Sequence, residues 1–514
     1  MRVLALVVVL ILAFAMPAVA QPAGTVVVGL VAEPVNLDPA QVTDLNSNRV
    51  GRRVVETLVT FPEEKTEVVP GLAESWTISK DGLQYTFKLR KGITFHDGTP
   101  FNAAAVKFSI ERQFNPEHPA NKIGKYPFAN YFFGNVKAVE PLSEDRVAFL
   151  LKEPRASFLA VLTAGAASIV SPTAVMKAGL DYPSAPVGTG PFRFASWDRG
   201  QRVVLEKNPK YWKYPVKLDR VVYRPIVEDQ ARLTELLTGQ LDLIVGVPAD
   251  YVGQLESGQK VSLLKQTGVH VWYLGINNQK KPFDDKRVRQ ALNYAVDKQA
   301  IVRDVLKGTG TLSVGPVQPN TWGAEPTLKP YPHDPARAKK LLAEAGFPNG
   351  FSTTLWVPES GSGMQSPVSM STVIQSNLKA VGVTVNMQTM EWGAYLAKLR
   401  SKEQDLFALS WMAWMEDPDM VMYPLLHSSQ WTPNGPNRAL YKNDTFDTLL
   451  TEARHTTDQA RRAVLYKQAQ KILVDDAPWI FIDHEVQIAA LARRVQGFKL
   501  HPSFDLRVET ISLK

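Results

Sequence analysis

The sequence predicts an α/β protein built from two lobes, and three observations lead to this prediction. Apolar runs of strand length alternate with amphipathic stretches of helix length along most of the chain. The alternation continues on both sides of Asn277, as expected for two separate α/β units. A chain of 514 residues is also longer than most single domains.

The individual elements follow from periodicity and from turn residues. Alternation over residues 85–89 predicts a half-buried strand, and a second short strand is expected over 93–95. Asn102 precedes a helix that it is able to cap. Further strands are predicted at 25–31, 202–206, 241–245, 272–278, 405–411 and 479–482. Further helices are predicted at 232–243, from 284 to about 308, at 334–346 and at 444–476.

The first 20 residues have the organisation of a secretory signal peptide. Arg2 precedes an uncharged apolar run over residues 3–16, and Ala18-Val19-Ala20 forms a small-x-small cleavage site before Gln21. The run of roughly 14 residues is shorter than the ~20 that span a bilayer, although an uncleaved anchor is the alternative. No cysteine follows the cleavage site. We therefore expect a soluble, unlipidated mature chain outside the cytoplasm.

Composition excludes several classes of function. The chain contains no cysteine, which removes thiol nucleophiles, Fe–S clusters and cysteine zinc sites. The formal net charge is +8, which is small for so long a chain, and no basic run with interleaved aromatic residues is present. We therefore expect no nucleic-acid partner.

The sequence also lacks the motifs of an enzyme or a metal site. The eight histidines show no HExxH or paired-ligand spacing, and no GxSxG elbow occurs. Asp483 and His484 are adjacent, so in a regular strand their side chains point to opposite faces and form one site only at a bulge. We predict no catalytic residue, no metal site and no cofactor, with a secreted hydrolase as the alternative of another class.

One stretch is similar to a known family. LAESWTISKDGLQYTFKLRKGITFHDGTPF resembles the signature segment of the family 5 extracytoplasmic solute-binding proteins, the peptide, nickel and opine class of receptors for ABC importers. Six further segments match in the order and spacing of the family: PVGTGPFRFASW, KNPKYW, RVRQALNYAVDKQAIV, ARAKKLLAEAGFPNG, NLKAVGV and EDPD. The match covers essentially the whole mature chain.

This resemblance implies the two-lobed periplasmic-binding-protein fold of the large type II class. In such a fold two crossing strands form a hinge and the ligand binds in the cleft between the lobes. We expect the crossings near residues 275–278 and 478–483. The implied division is a signal peptide at 1–20, lobe I at 21–60, 186–274 and 483–514, an extra subdomain of lobe I at 61–185, and lobe II at 275–482.

The resemblance also implies positions for the ligand pocket. Relatives use residues just after the LDP turn, two tryptophans and an aromatic residue near the second crossing. The predicted ligand-binding residues are Thr43, Asp44, Leu45, Trp392, Trp411, Trp414, Asp417 and Phe481, of which Trp414 and Asp417 are included because they share a segment with Trp411. The alternative for each tryptophan is a place in the core, and for Asp417 it is a turn or helix cap.

Two departures from the family pattern bear on the ligand. Peptide-binding relatives place an aspartate three residues after the first tryptophan of that segment, where it pairs with the α-ammonium, and this chain has Trp414 there. Dipeptide-binding relatives present an arginine in the region here numbered 358–367, which contains none. Because a buried charge without a partner costs several kcal/mol, we expect no zwitterionic dipeptide in that pose.

We predict a periplasmic receptor that binds its ligand without chemistry. Closure of the lobes would be stabilised by a solute that contacts both of them, and the closed form would deliver it to an ABC permease in the inner membrane. A peptide or peptide-like solute is the first choice, and a monomer is expected. An oligosaccharide stacked on tryptophan, an opine and a metal chelate touched by His270, His427 or His484 are the alternatives.

Overall fold

A computed structural model describes residues 24–42, 44–62, 68–361, 363–413, 415–433 and 435–514. The predicted signal peptide and the predicted site residues Thr43 and Trp414 lie outside the described residues. Within those ranges, no helix has both the length and the apolar composition that crossing a membrane requires.

The described strands account for the sheets of the molecule. In chain order they are β1 Thr25–Leu30, β2 Val59–Thr60, β3 Val69–Pro70, β4 Ala73–Ile78, β5 Gln84–Leu89, β6 Val136–Ser143, β7 Arg146–Leu151, β8 Phe192–Asp198, β9 Arg202–Lys207, β10 Arg220–Pro225, β11 Leu243–Val245, β12 Val261–Thr267, β13 His270–Ile276, β14 Gly310–Leu312, β15 Phe351–Pro358, β16 Val383–Met390, β17 Leu406–Met412, β18 Trp479–Ala492, β19 Val495–Gln496 and β20 Ser512–Leu513.

The described helices lie between these strands. They are α1 Leu45–Gly51, α2 Ala103–Glu111, α3 Ala129–Phe133, α4 Phe158–Val161, α5 Pro172–Ala178, α6 Asp229–Leu237, α7 Ala249–Ser257, α8 Lys286–Ala295, α9 Lys298–Ala300, α10 Pro335–Glu344, α11 Pro367–Ala380, α12 Trp392–Lys398, α13 Asp419–Leu426, α14 Asp444–His455 and α15 Gln459–Asp476. Short 3₁₀ turns and one π turn, Ile301–Val305, complete the set.

One large mixed sheet joins the two halves of the molecule. Its strands follow the order β16-β15-β17-β13-β18-β11-β1-β10-β9-β8, and β12 and β14 also pair with β18. The first half of β18 pairs with β13 and β14, whereas its second half pairs with β11 and β12. Two α/β lobes therefore share one strand, which confirms the predicted fold class.

The pairing locates the passage between the lobes. β12 ends with Thr267 opposite Val486, and β13 begins two residues after Gly268. We infer crossings at residues 268–269 and 485–486. The residues expected to cross lie elsewhere: 275–278 are at the C-terminal end of β13, and 478–483 are at the start of β18, which pairs with β13 there. The change from apolar to polar sequence after β13 marks the end of a strand and not a passage between lobes. The remaining lobe boundaries stay a prediction.

The second lobe buries both faces of its part of the sheet. Leu274 and Ile276 of β13 pack in one core with α8 and α11. Tyr273 and Phe481 pack in another core on the opposite face, with α14 and α15. Alternate residues of one strand therefore serve two cores, as expected for a sheet covered by helices on both sides.

A separate four-stranded sheet forms within the region predicted as an extra subdomain. Its order is β4-β5-β7-β6, and its core contains Phe87 and Phe149 with rings 5.6 Å apart. Asp38, in the turn after β1, accepts two hydrogen bonds from the buried Arg112 at 2.9 and 2.6 Å and so ties this sheet region to the first lobe. Met415 and Met420 are also buried in this core.

Several local predictions are confirmed. Tyr85, Phe87 and Leu89 form the buried face of β5. Asn102 caps α2, since its side chain accepts a hydrogen bond from the Ala105 amide at 3.0 Å. Asp334 caps α10, which stops at Glu344, just before Gly346.

Other local predictions are wrong. The strand expected over 93–95 is a single bridge between Thr94 and Pro100, because the chain turns back directly after Phe95, where the Gly98 amide donates to the Phe95 carbonyl. The helix expected to reach Gly308 ends at Ala295. The stretch 444–476 is two helices rather than one, because Asp458 caps a new helix.

Two glycines provide a test of the packing. A Cβ at Gly275 of β13 would overlap the ring of Phe407 on the neighbouring strand, so Gly275→Ala is expected to lower the free energy of unfolding by about 1–3 kcal/mol. Gly253 lies inside α7 with nothing near the added atom, so Gly253→Ala is expected to raise it by about 0.5–1 kcal/mol. Denaturant unfolding checks both; shifts of the same sign would contradict this packing.

Candidate ligand-binding site

A cavity of about 160 Å³ lies between the lobes beside the crossing strands. Leu45 and Arg49 of α1 line it on the side of the first lobe, and Gly363 and Gln365 line it on the side of the second. Glu485, at the second crossing, lines it as well. The cavity is therefore placed where movement of one lobe against the other would open or close it.

Helix α1 presents two of these residues because of its cap and its period. Asp44 has extended backbone angles, and its side chain accepts a hydrogen bond from the Ser47 amide at 2.8 Å. This cap fixes where the helix begins. Leu45 and Arg49 are four residues apart, so they lie on the same face of the helix, toward the cavity.

Arg49 is a buried cation whose hydrogen bonds are largely unused. Its side chain is 7% exposed, and its Nε donates to the carbonyl of Phe504 at 3.3 Å. No other hydrogen bond of this guanidinium is present among the described residues. Burial lowers the pKa of Arg49 to about 10, opposed by the charges of Glu485 and Asp505, so it remains a cation at neutral pH.

Glu485 is a buried acid whose pKa lies near neutral pH. Burial raises the pKa of Glu485 to about 7, opposed by the charge of Arg49 and by a hydrogen bond from Gln365. Within the described part of the chain the two charges form no direct ion pair. The cavity therefore offers a cation and an acid that influence each other but leave room for a ligand between them.

The predicted residues near the LDP turn have different positions. Leu45 lines the cavity, whereas Asp44 serves as the helix cap. Their contact with a ligand stays a prediction.

Of the predicted aromatic residues that the structure describes, Trp392, Trp411 and Phe481 do not line this cavity, although Trp411 borders a smaller one beside Asp417. Their contact with a ligand stays a prediction. Trp411 donates from Nε1 to the carbonyl of Met420 at 2.9 Å and packs edge-on against Tyr131. Trp392 stacks on Tyr395, with ring centroids 6.0 Å apart. Phe481 is buried in the core of the second lobe. The sequence alone did not show this, because adjacent strand residues face opposite ways and Met412, not Trp411, points to the cavity.

Asp417 has partners within the protein, and its contact with a ligand stays a prediction. Its two carboxylate oxygens accept hydrogen bonds from the buried guanidinium of Arg462 at 2.9 and 2.8 Å. One oxygen also accepts from the amide of Asp419 at 2.9 Å. The carboxylate expected to bind the ligand is therefore engaged within the protein and borders a different, smaller cavity of about 20 Å³.

The cavity residues that sequence reasoning missed had weak signals. Arg49 follows Leu45 by one helical turn, which becomes informative only once Leu45 is known to face the cavity. Glu485 lies two residues beyond the expected second crossing. Gln365 lies in the region 358–367 and takes a cavity position there, although that region contains no arginine.

No metal centre is found in the part of the chain that the structure describes. No group of three or more His, Asp or Glu residues there is arranged to hold an ion. His484 directs Nδ1 to the carbonyl of His270 at 2.6 Å, while neither carboxylate oxygen of the buried Asp483 has a described hydrogen-bond partner. These adjacent residues therefore do not form a joint site, although the strand pairing does shift beside them.

Comparison with known proteins identifies a matching family and close relatives. The family description "Bacterial extracellular solute-binding proteins, family 5 Middle" matches residues 67–433. Heme-binding protein A of Haemophilus influenzae is 40% identical over 490 residues, which cover 91% of this chain and 88% of the relative. Glutathione-binding protein GsiB of Pectobacterium atrosepticum is 36% identical over 473 residues, 91% of this chain and 90% of the relative.

Solved structures with the same fold extend over nearly the whole chain. HbpA2 from Haemophilus parasuis has a TM-score of 0.88 and 31% identity, covering 95% of this chain and 100% of that one. The periplasmic binding protein DppA from Helicobacter pylori, in complex with the peptide STSA, has a TM-score of 0.81 and 33% identity, covering 96% and 98%.

The ion pair of Asp417 with Arg462 is open to direct test. Asp417→Asn leaves the buried Arg462 without its anion, so the free energy of unfolding is expected to fall by about 3–5 kcal/mol. Glu452→Gln is the matched control, because its pair with Arg461 is exposed and worth at most about 1 kcal/mol. Unfolding curves measure both. A variant of normal stability that binds ligand poorly would show instead that Asp417 is a binding residue.

Proposed function

Because the chain belongs to the bacterial extracellular solute-binding proteins of family 5, we propose that it is the receptor of an ABC importer for a peptide-like solute that carries a carboxylate. The family predicted from the sequence motifs is confirmed by this membership. Its members are substrate-binding proteins of ABC transporters rather than enzymes, and they deliver small solutes to a permease.

The observation that carries the proposal is the guanidinium of Arg49 in the cavity between the lobes, whose one hydrogen bond to a described residue is from Nε to the carbonyl of Phe504. A guanidinium presents parallel N–H groups that match the two oxygens of a carboxylate, and such charged pairs are stronger than neutral hydrogen bonds. A buried cation gains most from a ligand that supplies the missing anion. Arg49 would thus bind the ligand carboxylate. Dipeptide-binding relatives use an arginine in the region here numbered 358–367 for this purpose, and this chain has none there.

Glu485 and Gln365 are suited to the amino end of the same ligand. Glu485 accepts hydrogen bonds when ionised, and burial raises its pKa to about 7 although the charge of Arg49 opposes this. A ligand ammonium would supply a cationic partner. Peptide-binding relatives pair the ligand ammonium with an aspartate at the position of Trp414. In this chain Glu485, rather than Asp417, would take that role.

The relatives support a peptide-like solute of small size. Proteins described as glutathione-binding are 34–36% identical over at least 91% of this chain. Glutathione is tripeptide-like and carries two carboxylates and one ammonium, which suit Arg49 and Glu485. A cavity of roughly 150 Å³ encloses about one benzene ring. The cavity of about 160 Å³ in this structure is therefore too small for glutathione, so the lobes must open to admit it.

Haem is the alternative raised by the name of the Haemophilus influenzae relative. Haem iron takes His, Cys, Met or Tyr as its protein ligand. Of the described residues that line the cavity, only Met412 is of these types. An oligosaccharide would require an aromatic platform; Trp392 and Trp411 do not line the cavity, and Phe504 is the one aromatic residue among the described residues that do. The described site therefore favours the peptide-like solute.

The two-lobed arrangement gives the binding mechanism. Arg49 comes from one lobe and Gln365 from the other, so a ligand that contacts both stabilises the closed arrangement. We expect the mature chain to lack residues 1–20, to be unlipidated and to act as a monomer in the periplasm. Opines and metal chelates remain outcomes of the binding test below.

The carboxylate anchor is tested with Arg49→Met in ligand-stripped mature protein, titrated calorimetrically with glutathione and with its dimethyl ester. Loss of a charged hydrogen-bond pair worth about 1.5–3 kcal/mol should weaken glutathione about 10- to 150-fold and leave the ester nearly unaffected. Arg303→Met is the control, because that side chain is 70% exposed and is not among the residues that line the cavity. Equal weakening of both ligands, or hemin binding without glutathione binding, would overturn the proposal.

The acid of the cavity predicts a pH dependence of affinity. The ionised form of Glu485 binds an ammonium, and its pKa of about 7 leaves only about 1% ionised at pH 5. The affinity for glutathione should therefore rise with pH by about 100-fold between pH 5 and pH 8 and then level off. Glu485→Gln should abolish this rise. The same slope in wild type and variant would assign the dependence to another group.

A further inference from the structure

His270 occupies the point where the chain passes from one lobe to the other. It is the first residue of β13, follows the crossing at 268–269 and is 2% exposed. The Gly268 amide donates to the carbonyl of Glu485 at 2.9 Å, as in a regular antiparallel ladder. The next ladder bond is not made to backbone, because the Glu485 amide donates to Nδ1 of the His270 ring at 3.0 Å. The side chain of His270 therefore replaces a backbone acceptor between the crossing strands.

The other ring nitrogen of His270 reaches a second segment. Nε2 lies 2.9 Å from the carbonyl of Gly363. Since Nδ1 accepts a hydrogen bond, the single hydrogen of the neutral ring is on Nε2, which donates to that carbonyl. One imidazole therefore links the crossing strand to the loop that contains Gly363.

Both partners of this imidazole line the cavity. Glu485 and Gly363 are cavity residues, and the side chain of Gln365, two positions after Gly363, is one of the groups that lower the pKa of the Glu485 carboxyl against the effect of burial. Gly363 has a φ of +69°, and a Cβ there would lie 3.0 Å from Oγ of Ser410, so the loop approaches Ser410 closely in a conformation that favours glycine. The position of the loop fixes where the Gln365 amide meets the acid.

We propose that His270 is a positioning residue of the binding site: its ring holds the loop of Gly363 and Gln365 against the backbone of Glu485. It thereby fixes the acid and amide that receive the amino end of the ligand. The ligand part of this inference rests on the proposed function. The geometric part does not.

Two features keep the ring in this state. Burial, together with the nearby His484, lowers the pKa of His270 to about 4, opposed by the hydrogen bond to the Gly363 carbonyl, so the ring is neutral at ordinary pH. His484 also hydrogen-bonds to the His270 carbonyl at 2.6 Å, which fixes the backbone of the crossing.

Two substitutions separate the two hydrogen bonds of His270. His270→Asn keeps an acceptor near the position of Nδ1 but does not reach Gly363. His270→Gln keeps a donor near the position of Nε2 but does not serve the Glu485 amide. His270→Phe keeps the ring shape and removes both bonds. Comparison of the three variants distinguishes positioning from simple filling of space.

The first readout is amide hydrogen exchange of the ligand-free proteins, which does not depend on the identity of the ligand. We expect the Glu485 amide to exchange at least tenfold faster in the Gln and Phe variants and to stay protected in the Asn variant. The Met364 amide, which donates to Gly361 at 3.0 Å, should exchange faster in the Asn and Phe variants. Uniform acceleration in all three, or none, would overturn the positioning role.

The second readout is the affinity for glutathione relative to N-acetylglutathione, which lacks the ammonium. In the Phe variant this ratio should fall about tenfold, and the midpoint of the pH dependence of glutathione affinity should move. In the Asn and Gln variants both changes should be smaller. A lower melting temperature with an unchanged ratio and midpoint would mean that His270 is only structural. Absence of glutathione binding by wild type would overturn the proposed function, while the exchange data would still decide the role of His270.

Discussion

The backbone hydrogen bonds of β18 hold both lobes on one continuous strand, and this sharing constrains everything else. Its first half belongs to the sheet of one lobe and its second half to the sheet of the other. Any rotation of the lobes must therefore be absorbed at the two short crossings, residues 268–269 and 485–486. Glu485 lies at one of these, so an acid of the cavity is also part of the hinge.

The charged and polar side chains of the cavity come from both lobes and from the crossing between them. Arg49 is held by a capped helix of the first lobe, and Gln365 belongs to a loop of the second. Among the described residues Arg49 makes one hydrogen bond and Glu485 forms no ion pair, which favours a ligand that carries the complementary groups. Binding energy is then available to stabilise closure, because those groups meet only when the lobes approach.

The sequence predicted the fold far better than the site. Alternation and capping identified β5, α2 and α10, and the order of the family motifs identified two lobes. The crossings were misplaced because a run such as 272–278 shows where a strand ends, not which sheet it joins. The contacts of Trp411 and Asp417 could not be predicted, because each depends on a partner that only the fold brings close, Met420 and Arg462 respectively. Arg49 carries no motif, and only the folded chain brings it near Glu485.

The most direct test of this account is a crystal structure of the mature protein with glutathione. The account predicts one carboxylate of the ligand within hydrogen-bonding distance of the terminal nitrogens of Arg49, and the ligand ammonium against the carboxylate of Glu485, with the lobes closed around both. A ligand bound beside Trp411 and Asp417, or a cavity in which Arg49 makes no contact with it, would contradict the account.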